Sequence, residues 1–275
     1  MLEKVLAKLY GSWPIKRRLL QKYAKQNKVG DALNEWTLNK EAKLAIIVPC
    51  FNHLTFLPAT LDSIKNQSQK PNEVIFIDDC SPDDTGAYLE KKLSSFDEQV
   101  DARLLKNEKN IGQAASINKA VESSSSDWFM ILNDDDLIHT KAVSTVRQVI
   151  AKTKIHLFGF GCKEIKVDTN YHDVHWPELP NIDMIALPKY QVSPVDVLNY
   201  KAANDLNMTH SGSTFSKFAF QQVGGYYENK LKRVVPFSDR DFQLRVASVF
   251  LTGDFSEIQL SAWREGSSVD HGKNS

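Results

Sequence analysis

This sequence of 275 residues has few cysteines, no net charge and no long apolar run. Its three cysteines, Cys50, Cys80 and Cys162, are an odd number without a C-x-x-C pair, which argues against a disulfide framework and a structural zinc site. Lys and Arg number 34 and so do Asp and Glu, so a net charge of zero gives no general electrostatic reason to bind nucleic acid. We therefore expect a cytoplasmic protein with reduced thiols and no nucleic-acid partner.

Membrane-spanning and secretory segments are also missing from the pattern. No apolar run approaches the roughly 20 residues that a membrane-spanning helix needs. Lys4 and Lys8 interrupt any apolar core of a signal peptide, so we predict none. Hydrophobic residues make up 42% and charged residues 25% of the chain, which is typical of a globular protein long enough to bury a core.

The charge is unevenly distributed along the chain. Residues 1–30 contain eight basic residues and one acidic residue, whereas residues 31–275 contain 26 basic and 33 acidic residues. Apolar residues recur at helical spacing before and after a break at Gly11–Pro14. We predict a basic helical extension and linker over residues 1–43. Its apolar stripe either packs on the main domain or makes a peripheral contact with an anionic membrane, at the inner face of the plasma membrane.

Strands and helices alternate from Leu44 onward. Leu44–Val48 is a continuous apolar run ended by Pro49, as expected for a strand buried on both faces. This β-α-β-α-β-α-β order predicts an α/β fold with a mostly parallel sheet and helices on both faces. The other predicted strands lie at 74–77, 103–105 and 128–132, and the predicted helices at 54–67, 84–94, 113–122 and 239–250.

Polar clusters follow three of the strands, at Pro49–Asn52, Asp78–Asp79 and Asn133–Asp136. Because ligands bind at the carboxyl ends of strands in open α/β sheets, we expect the three clusters to share one crevice. The adjacent carboxylates of the third cluster repel each other unless a cation neutralises them, although a solvated turn is the alternative. The Asp78–Asp79 pair suits the N–H of a base or ribose hydroxyls, or Asp79 and Ser81 simply organise the turn before a helix.

These segments resemble the ordered motifs of glycosyltransferase family 2. Two later segments continue the resemblance: Val223–Glu228 is similar to the family's G-G-F-D-E, and Ser238–Arg245 to its E-D-x-D-L-x-x-R. The resemblance covers about residues 44–270. It implies a GT-A type, Rossmann-like fold and a nucleotide-sugar donor. The matching segments of the first part are Val48–Asn52, Ile77–Thr85, Asn110–Gly112 and Leu132–Asp136.

The resemblance also implies roles for individual residues. Asp239 matches the catalytic base. Asp134 and Asp136 match the D-x-D motif, whereas in the fuller L-D-x-D-D alignment Asn133 takes the first acidic place and Asp135 and Asp136 the last two. Both alignments keep Asp136, so Asp136 and Asp134 are the predicted ligands of Mn²⁺ or Mg²⁺. The residues expected around the nucleotide and donor are Pro49, Phe51, Asn52, Asp78, Asp79, Asn110, Gly112, Asp134, Asp135 and Arg264.

Two positions depart from the family pattern late in the chain. Ser238 replaces the Glu that precedes the base, and Gly266 stands in a His place of the motif that contains Arg264. Arg264 is still expected to meet the diphosphate. His271 is either a substitute metal ligand or a solvated terminal histidine.

The resemblance implies an inverting, metal-dependent transferase that moves a sugar from a UDP-sugar to a glycan or lipid-linked acceptor, in bacterial surface polysaccharide synthesis. Residues 44–140 would form the nucleotide-sugar-binding half and residues 141–275 the acceptor-binding and catalytic half of one continuous domain. A sugar nucleotidyltransferase is disfavoured because no Gly-rich basic loop follows the first strand. A catalytically silent glycan- or nucleotide-binding module is the other alternative.

Overall fold

The computed structural model describes residues 42–180, 191–192, 208–230, 233, 237–247, 250 and 252–266. The predicted basic extension lies outside these residues except for Ala42 and Lys43, and so does His271. Within the described ranges, no helix is both long enough and apolar enough to span a membrane.

The described residues form nine strands and six α-helices. The strands are β1 Leu44–Cys50, β2 Glu73–Asp78, β3 Asp101–Lys106, β4 Trp128–Ile131, β5 Leu137–Ile138, β6 Leu157–Ile165, β7 Gln191–Val192, β8 Thr214–Ser216 and β9 Thr252–Arg264. The helices are α1 Leu57–Lys65, α2 Thr85–Lys92, α3 Gln113–Ser123, α4 Ala142–Lys152, α5 Lys217–Val223 and α6 Ser238–Ala247, with 3₁₀ turns at Leu93–Ser95 and Tyr171–Asp173.

One sheet joins all nine strands in the order β3-β2-β1-β4-β8-β6-β9-β5, and β7 pairs with β9. The four strands β3, β2, β1 and β4 are parallel, whereas β8 runs antiparallel between β4 and β6. Strand β9 is parallel to β6 and antiparallel to β5 and β7. The predicted mostly parallel α/β sheet is therefore confirmed, with its antiparallel pairs confined to one end.

Apolar side chains cover both faces of the sheet. In β1, which is buried throughout, Leu44, Ile46 and Val48 pack in one cluster while Ala45 and Ile47 pack in the opposite one. Helices α1, α2 and α4 cover the first face, and α3, α5 and α6 cover the second. This burial on both sides explains why the strand is a continuous apolar run rather than an alternating one.

The helix boundaries differ slightly from the prediction. Helix α1 begins at Leu57 rather than 54, because Pro58 is accommodated in the first turn, where a missing N–H breaks no intrahelical bond. Helix α6 is described over Ser238–Ala247 and begins one residue before the predicted 239–250. The early start places Asp239 inside the first turn of the helix.

Candidate active site

The carboxyl ends of the parallel strands open into one pocket of about 750 Å³. Most of the sequence-predicted site residues line it: Pro49, Phe51, Asp79, Asn110, Gly112, Asp134, Asp135 and Asp239. Asn52, Asp78, Asp136 and Arg264 are not among the lining residues. The expected shared crevice is thus present. Residues as far apart in sequence as Pro49 and Asp239 line it.

The turn after β1 connects two of the acidic strand ends. The backbone N–H of Phe51 donates to Oδ2 of Asp134 over 3.0 Å. Asn52 is exposed and adopts a left-handed conformation (φ 58°), and its N–H donates to Oγ of Ser81 over 3.1 Å. Asn52 therefore shapes the turn beside the pocket, while Phe51 faces the pocket itself.

Asp79 is the buried acceptor that orders the loop before α3. Its Oδ1 accepts from the N–H of Ile111 and from Nδ2 of Asn107, and its Oδ2 accepts from the N–H of Gly112, at 2.8–2.9 Å. Gly112 has φ 88°, a conformation that glycine adopts without steric cost. This one carboxylate therefore holds the backbone of the donor-side wall in place.

Asp78 has a different role from its neighbour. Its Oδ1 accepts from the backbone N–H of Ser81 over 3.0 Å, which organises the turn after β2. Its Oδ2 would lie only 2.6 Å from a Cβ placed on Gly86, so the carboxylate also packs closely against α2. The sequence analysis weighed a turn held by Asp79 and Ser81, whereas the carboxylate that accepts from Ser81 is that of Asp78.

The acidic run after β4 divides between the pocket and the interior. Asp134 and Asp135 line the pocket, and the ligand atoms of His53, Asp134 and Asp135 all lie within 4.8 Å of one another. Nδ1 of His53 lies 2.8 Å from Oδ1 of Asp134. One imidazole nitrogen and two carboxylates form a donor set that fits Mn²⁺. The two carboxylates alone also suit Mg²⁺, which prefers oxygen ligands.

Asp136 points away from that group. Its Oδ2 accepts from Nδ2 of Asn133 over 3.2 Å and, in a very short contact, from Oγ of Ser211. The predicted pairing of Asp134 with Asp136 is therefore not the pairing that faces the pocket. The ligand atoms grouped with those of Asp134 belong to Asp135 and His53, and the role of Asp136 as a metal ligand stays a prediction.

Burial makes this acidic run electrostatically costly. Burial raises the pKa of Asp134, and it raises the pKa of Asp136 to about 7 with the charge of Asp135 adding to the effect. Raised carboxylate pKa values mean that the charged forms are disfavoured where they stand. A bound cation would reverse that preference, so the arrangement suits a divalent ion.

Asp239 lies in the first turn of α6 and lines the pocket. A buried ion pair anchors this helix. Nε of Arg245 donates to Oδ2 of Asp241 over 2.9 Å, one turn apart. The two other guanidinium nitrogens each donate over 2.7 Å, to the carbonyls of Val223 and Gly225. Arg245 thereby ties the helix that bears Asp239 to the preceding glycine loop.

Several residues of the site were not singled out by the sequence. His53 sits two positions after Phe51, and only its place after a strand end could have drawn attention to it. The amide of Asn118 donates to the carbonyl of Tyr226 and accepts from the N–H of the same residue, each over 2.9 Å. Gly225 makes this possible, because a Cβ there would lie 2.8 Å from Oδ1 of Asn118. Lys230 and Arg233 add positive charge to the pocket wall.

Arg264 is buried and is not among the residues that line the pocket. Its Nη1 donates to the carbonyls of Val167 and Thr169 at 2.9 and 2.6 Å. Burial lowers its pKa, and the charges of Asp135 and Asp136 act in the opposite direction. The guanidinium thus interacts electrostatically with the acidic run, and it also contacts two loop carbonyls and the ring of Phe56, whose centroid lies 5.4 Å from Cζ.

Comparisons with known proteins point in one direction. The family model described as "Glycosyl transferase family 2" matches residues 45–224. The chain is 34% identical over 117 residues to the GalNAc(5)-diNAcBac-PP-undecaprenol beta-1,3-glucosyltransferase of Campylobacter jejuni, a match that covers 42% of this chain and 37% of that protein. The chain spans little more than a third of the length of the curated relatives that it matches.

Solved structures show the same fold at low sequence identity. Staphylococcus aureus TarS 1–349 in complex with UDP-GlcNAc superposes with a TM-score of 0.60 at 16% identity, over 82% of this chain and 59% of that one. The mannosyltransferase PcManGT from Pyrobaculum calidifontis, in complex with GDP-Man and Mn²⁺, gives a TM-score of 0.58 at 15% identity, over 98% of this chain and 70% of that one.

Proposed function

This chain belongs to glycosyltransferase family 2 and has the GT-A fold, and we propose that it is an inverting, metal-dependent transferase that uses a UDP-sugar. The supporting observation is that one pocket joins three kinds of group: the base-side acceptor Asp79, the cation-binding candidates His53, Asp134 and Asp135, and the candidate base Asp239. Residues 44–140 hold the donor in this proposal, and residues 141–275 supply the base and the acceptor side.

The choice of donor base follows from the chemistry of Asp79. A carboxylate only accepts hydrogen bonds, so it favours a base edge with a ring N–H and disfavours one that presents a bare ring nitrogen. Uracil and guanine have such an N–H, whereas adenine and cytosine do not. Phe51 lies beside this position and offers a ring face for stacking. UDP is proposed because the solved relative TarS binds UDP and UDP-GlcNAc.

The diphosphate is held between charges of opposite sign. His53, Asp134 and Asp135 would hold a divalent cation, which when bound supplies positive charge to the departing diphosphate. Lys230 and Arg233 add cationic side chains on the facing wall. Their charges suit a ligand whose negative charge grows as the sugar leaves.

Asp239 takes the proton in the proposed transfer. The oxygen of an acceptor hydroxyl attacks the anomeric carbon as the bond from that carbon to the diphosphate breaks. The hydroxyl proton passes to the Asp239 carboxylate, and UDP leaves with the bonding electron pair. Attack from the face opposite the leaving group inverts the anomeric carbon.

The acceptor is proposed to be a glycan or lipid-linked glycan of a bacterial surface polysaccharide. The curated relative from Campylobacter jejuni is named for an undecaprenol-linked substrate. The proposed peripheral contact of residues 1–30 with the inner face of the plasma membrane would bring the pocket near such a substrate. Liposome sedimentation of the full chain and of a chain lacking residues 1–30 tests this contact, because equal partitioning would refute it.

A donor panel tests the transferase activity. The protein is incubated with UDP-, GDP-, CDP- and ADP-sugars, with Mn²⁺ or with EDTA, and the free nucleoside diphosphate is measured. We expect release from a UDP-sugar that requires the metal. Absence of release from every donor, with and without lipid-linked and soluble glycan acceptors, would refute the proposed function.

Two variants and a control locate the chemistry. Asp239→Asn removes the proton acceptor and is expected to lower turnover by about 10²–10⁴-fold with nearly unchanged UDP binding. Asp135→Asn is expected to weaken Mn²⁺ binding, measured by titration calorimetry. Asp84→Asn is the matched control, because Asp84 is exposed and its side chain forms no cap hydrogen bond. Equal loss of UDP binding and turnover in Asp239→Asn would reassign Asp239 to a structural role.

A further inference from the structure

His210 lies between the acidic run Asn133–Asp136 and the loop that contains Gly224, Gly225 and Tyr226. The proposed mechanism does not use it. Strand β8 pairs antiparallel with β4, so the residues that precede β8 lie beside those that follow β4. The N–H of Gly212 donates to the carbonyl of Ile131 over 2.8 Å, which fixes that alignment. His210 is thereby placed next to Asn133 at the start of the acidic run.

The hydrogen bonds around His210 define its tautomer. The amide of Asn133 donates through Nδ2 to the carboxylate of Asp136, which leaves Oδ1 as the acceptor facing His210. Nδ1 of His210 lies 3.2 Å from that Oδ1 and therefore bears the proton. Nε2 lies 3.3 Å from the Tyr226 hydroxyl, which donates to it. Burial lowers the pKa of His210, with the charge of Asp239 acting against it, in keeping with a neutral ring.

Tyr226 extends these contacts to the helix of the candidate base. Its ring stacks on Phe242 of α6 with centroids 4.2 Å apart and planes at 13°. Its backbone is clamped from the other side by the amide of Asn118. A continuous series of contacts therefore runs from Asn133 through His210 and Tyr226 to Phe242, three residues after Asp239.

Both partners of His210 occupy places where this chain differs from the family pattern. Asn133 stands in the first acidic place of L-D-x-D-D, and Tyr226 stands in the Phe place of G-G-F-D-E. An Asp at 133 would provide no N–H for Asp136, and a Phe at 226 would provide no hydroxyl for His210. The Tyr226 hydroxyl thus supplies the donor for Nε2 of His210, and the Asn133 amide joins His210 to Asp136.

We propose that His210 is a positioning residue that holds the acidic loop after β4 and the base-bearing helix α6 in a fixed relative placement. The donor and its cation are bound by the acidic loop, and the acceptor hydroxyl is met by Asp239. A fixed placement keeps the two reacting groups aligned, and a small misplacement lowers the rate without weakening donor binding. The inference rests on the proposed transferase function.

Three variants separate positioning from simple packing. His210→Leu keeps the volume and removes both hydrogen bonds, and we expect kcat to fall by about 10- to 100-fold with donor KM and UDP affinity changed by less than about threefold. His210→Gln retains one donor and one acceptor and is expected to restore at least about a third of the lost turnover. Tyr226→Phe keeps the ring stacking on Phe242 and removes only the hydroxyl, so it is expected to fold and to lower kcat by a smaller factor.

The controls and the contrary outcomes are distinct. His172→Gln, at an exposed histidine, is the matched control and should not change turnover. Long-range ¹H–¹⁵N spectra of the full chain should show the Nδ1–H tautomer for His210 and its redistribution in Tyr226→Phe. Unchanged kcat in His210→Leu, equal turnover in His210→Leu and His210→Gln, or parallel loss of UDP binding would overturn this inference. A wild-type protein without any donor cleavage would instead overturn the proposed function.

Discussion

The two ends of the sheet are held together in different ways. At the parallel end, Glu73 of β2 pairs with Arg103 of the adjacent β3 and accepts from the serines that follow α3. At the other end, polar contacts join segments that are far apart in sequence. Asn133 and His210, for example, are separated by 77 residues. At the parallel end these polar contacts supplement the continuous pairing of β2 with β1 and β3. The other end depends on individual side-chain pairs, and single substitutions should disturb it more.

One arginine–carboxylate pair at each end shows the contrast. Arg103 and Glu73 have side chains that are 26% and 5% exposed, with nitrogen and oxygen 2.8 Å apart. Arg245 and Asp241 are 2% and 0% exposed at 2.9 Å. Water and serine hydroxyls can solvate the charges of the Arg103–Glu73 pair. The Arg245–Asp241 pair is shielded from water. Removal of one partner should therefore be far more costly at the second pair.

Arg245→Met is expected to have the largest effect on stability. It removes the Arg245 guanidinium from the buried Asp241 carboxylate and removes the donors to two backbone carbonyls. Loss of one partner of a buried pair costs about 3–5 kcal/mol. Arg103→Met should cost only about 1 kcal/mol, as is usual for a partly exposed pair. Urea unfolding followed by circular dichroism measures both values.

A double variant tests the cause. Arg245→Met with Asp241→Leu removes the buried charge together with its partner, so it should be more stable than Arg245→Met alone. Similar free energies of unfolding for Arg103→Met and Arg245→Met would break the comparison between the two ends of the sheet.

His156 is expected to make stability depend on pH. It starts the segment leading into β6, its Nδ1 lies 2.8 Å from Oγ of Ser216, and the rings of Trp128 and Phe250 pack against it. Burial lowers its pKa to about 4. Because the unfolded chain binds this proton more readily, the stabilisation is complete above about pH 6.5 and is lost as the pH falls towards 4. The full loss is about 3 kcal/mol at 1.36 kcal/mol per pKa unit.

The measurement compares two histidine variants across that pH range. His156→Gln should flatten the decline in the free energy of unfolding between pH 6.5 and 4. His172→Gln, at an exposed position, should keep the wild-type decline. A wild-type decline in His156→Gln as well would assign the acid sensitivity to other groups.

The sequence predicts the parallel end and much of the site because both depend on local signals. A buried apolar run followed by Asp79 or by Asp134–Asp136 marks a strand end, and these ends meet in the pocket as expected. The spacing of Asp134–Asp136 does not show which of the three carboxylates faces the pocket. That choice depends on Ser211, which donates to Asp136 from 75 residues away. His53 and His210 were missed for the same reason, since tertiary neighbours define their roles.

Asp79→Asn is expected to have a smaller effect on stability than Arg245→Met, and it sharpens the comparison within the parallel end. Both oxygens of Asp79 accept hydrogen bonds, so an amide sets an N–H against the donor of Ile111 or Gly112. A buried donor left without an acceptor costs about 1–3 kcal/mol. Asp78→Asn keeps an acceptor oxygen for Ser81 and should cost less than about 1 kcal/mol. Thermal unfolding and UDP titration measure both variants, and only Asp79→Asn should weaken UDP binding. An equal cost for the two would mean that the turn after β2, rather than the loop before α3, is what this acidic pair holds in place.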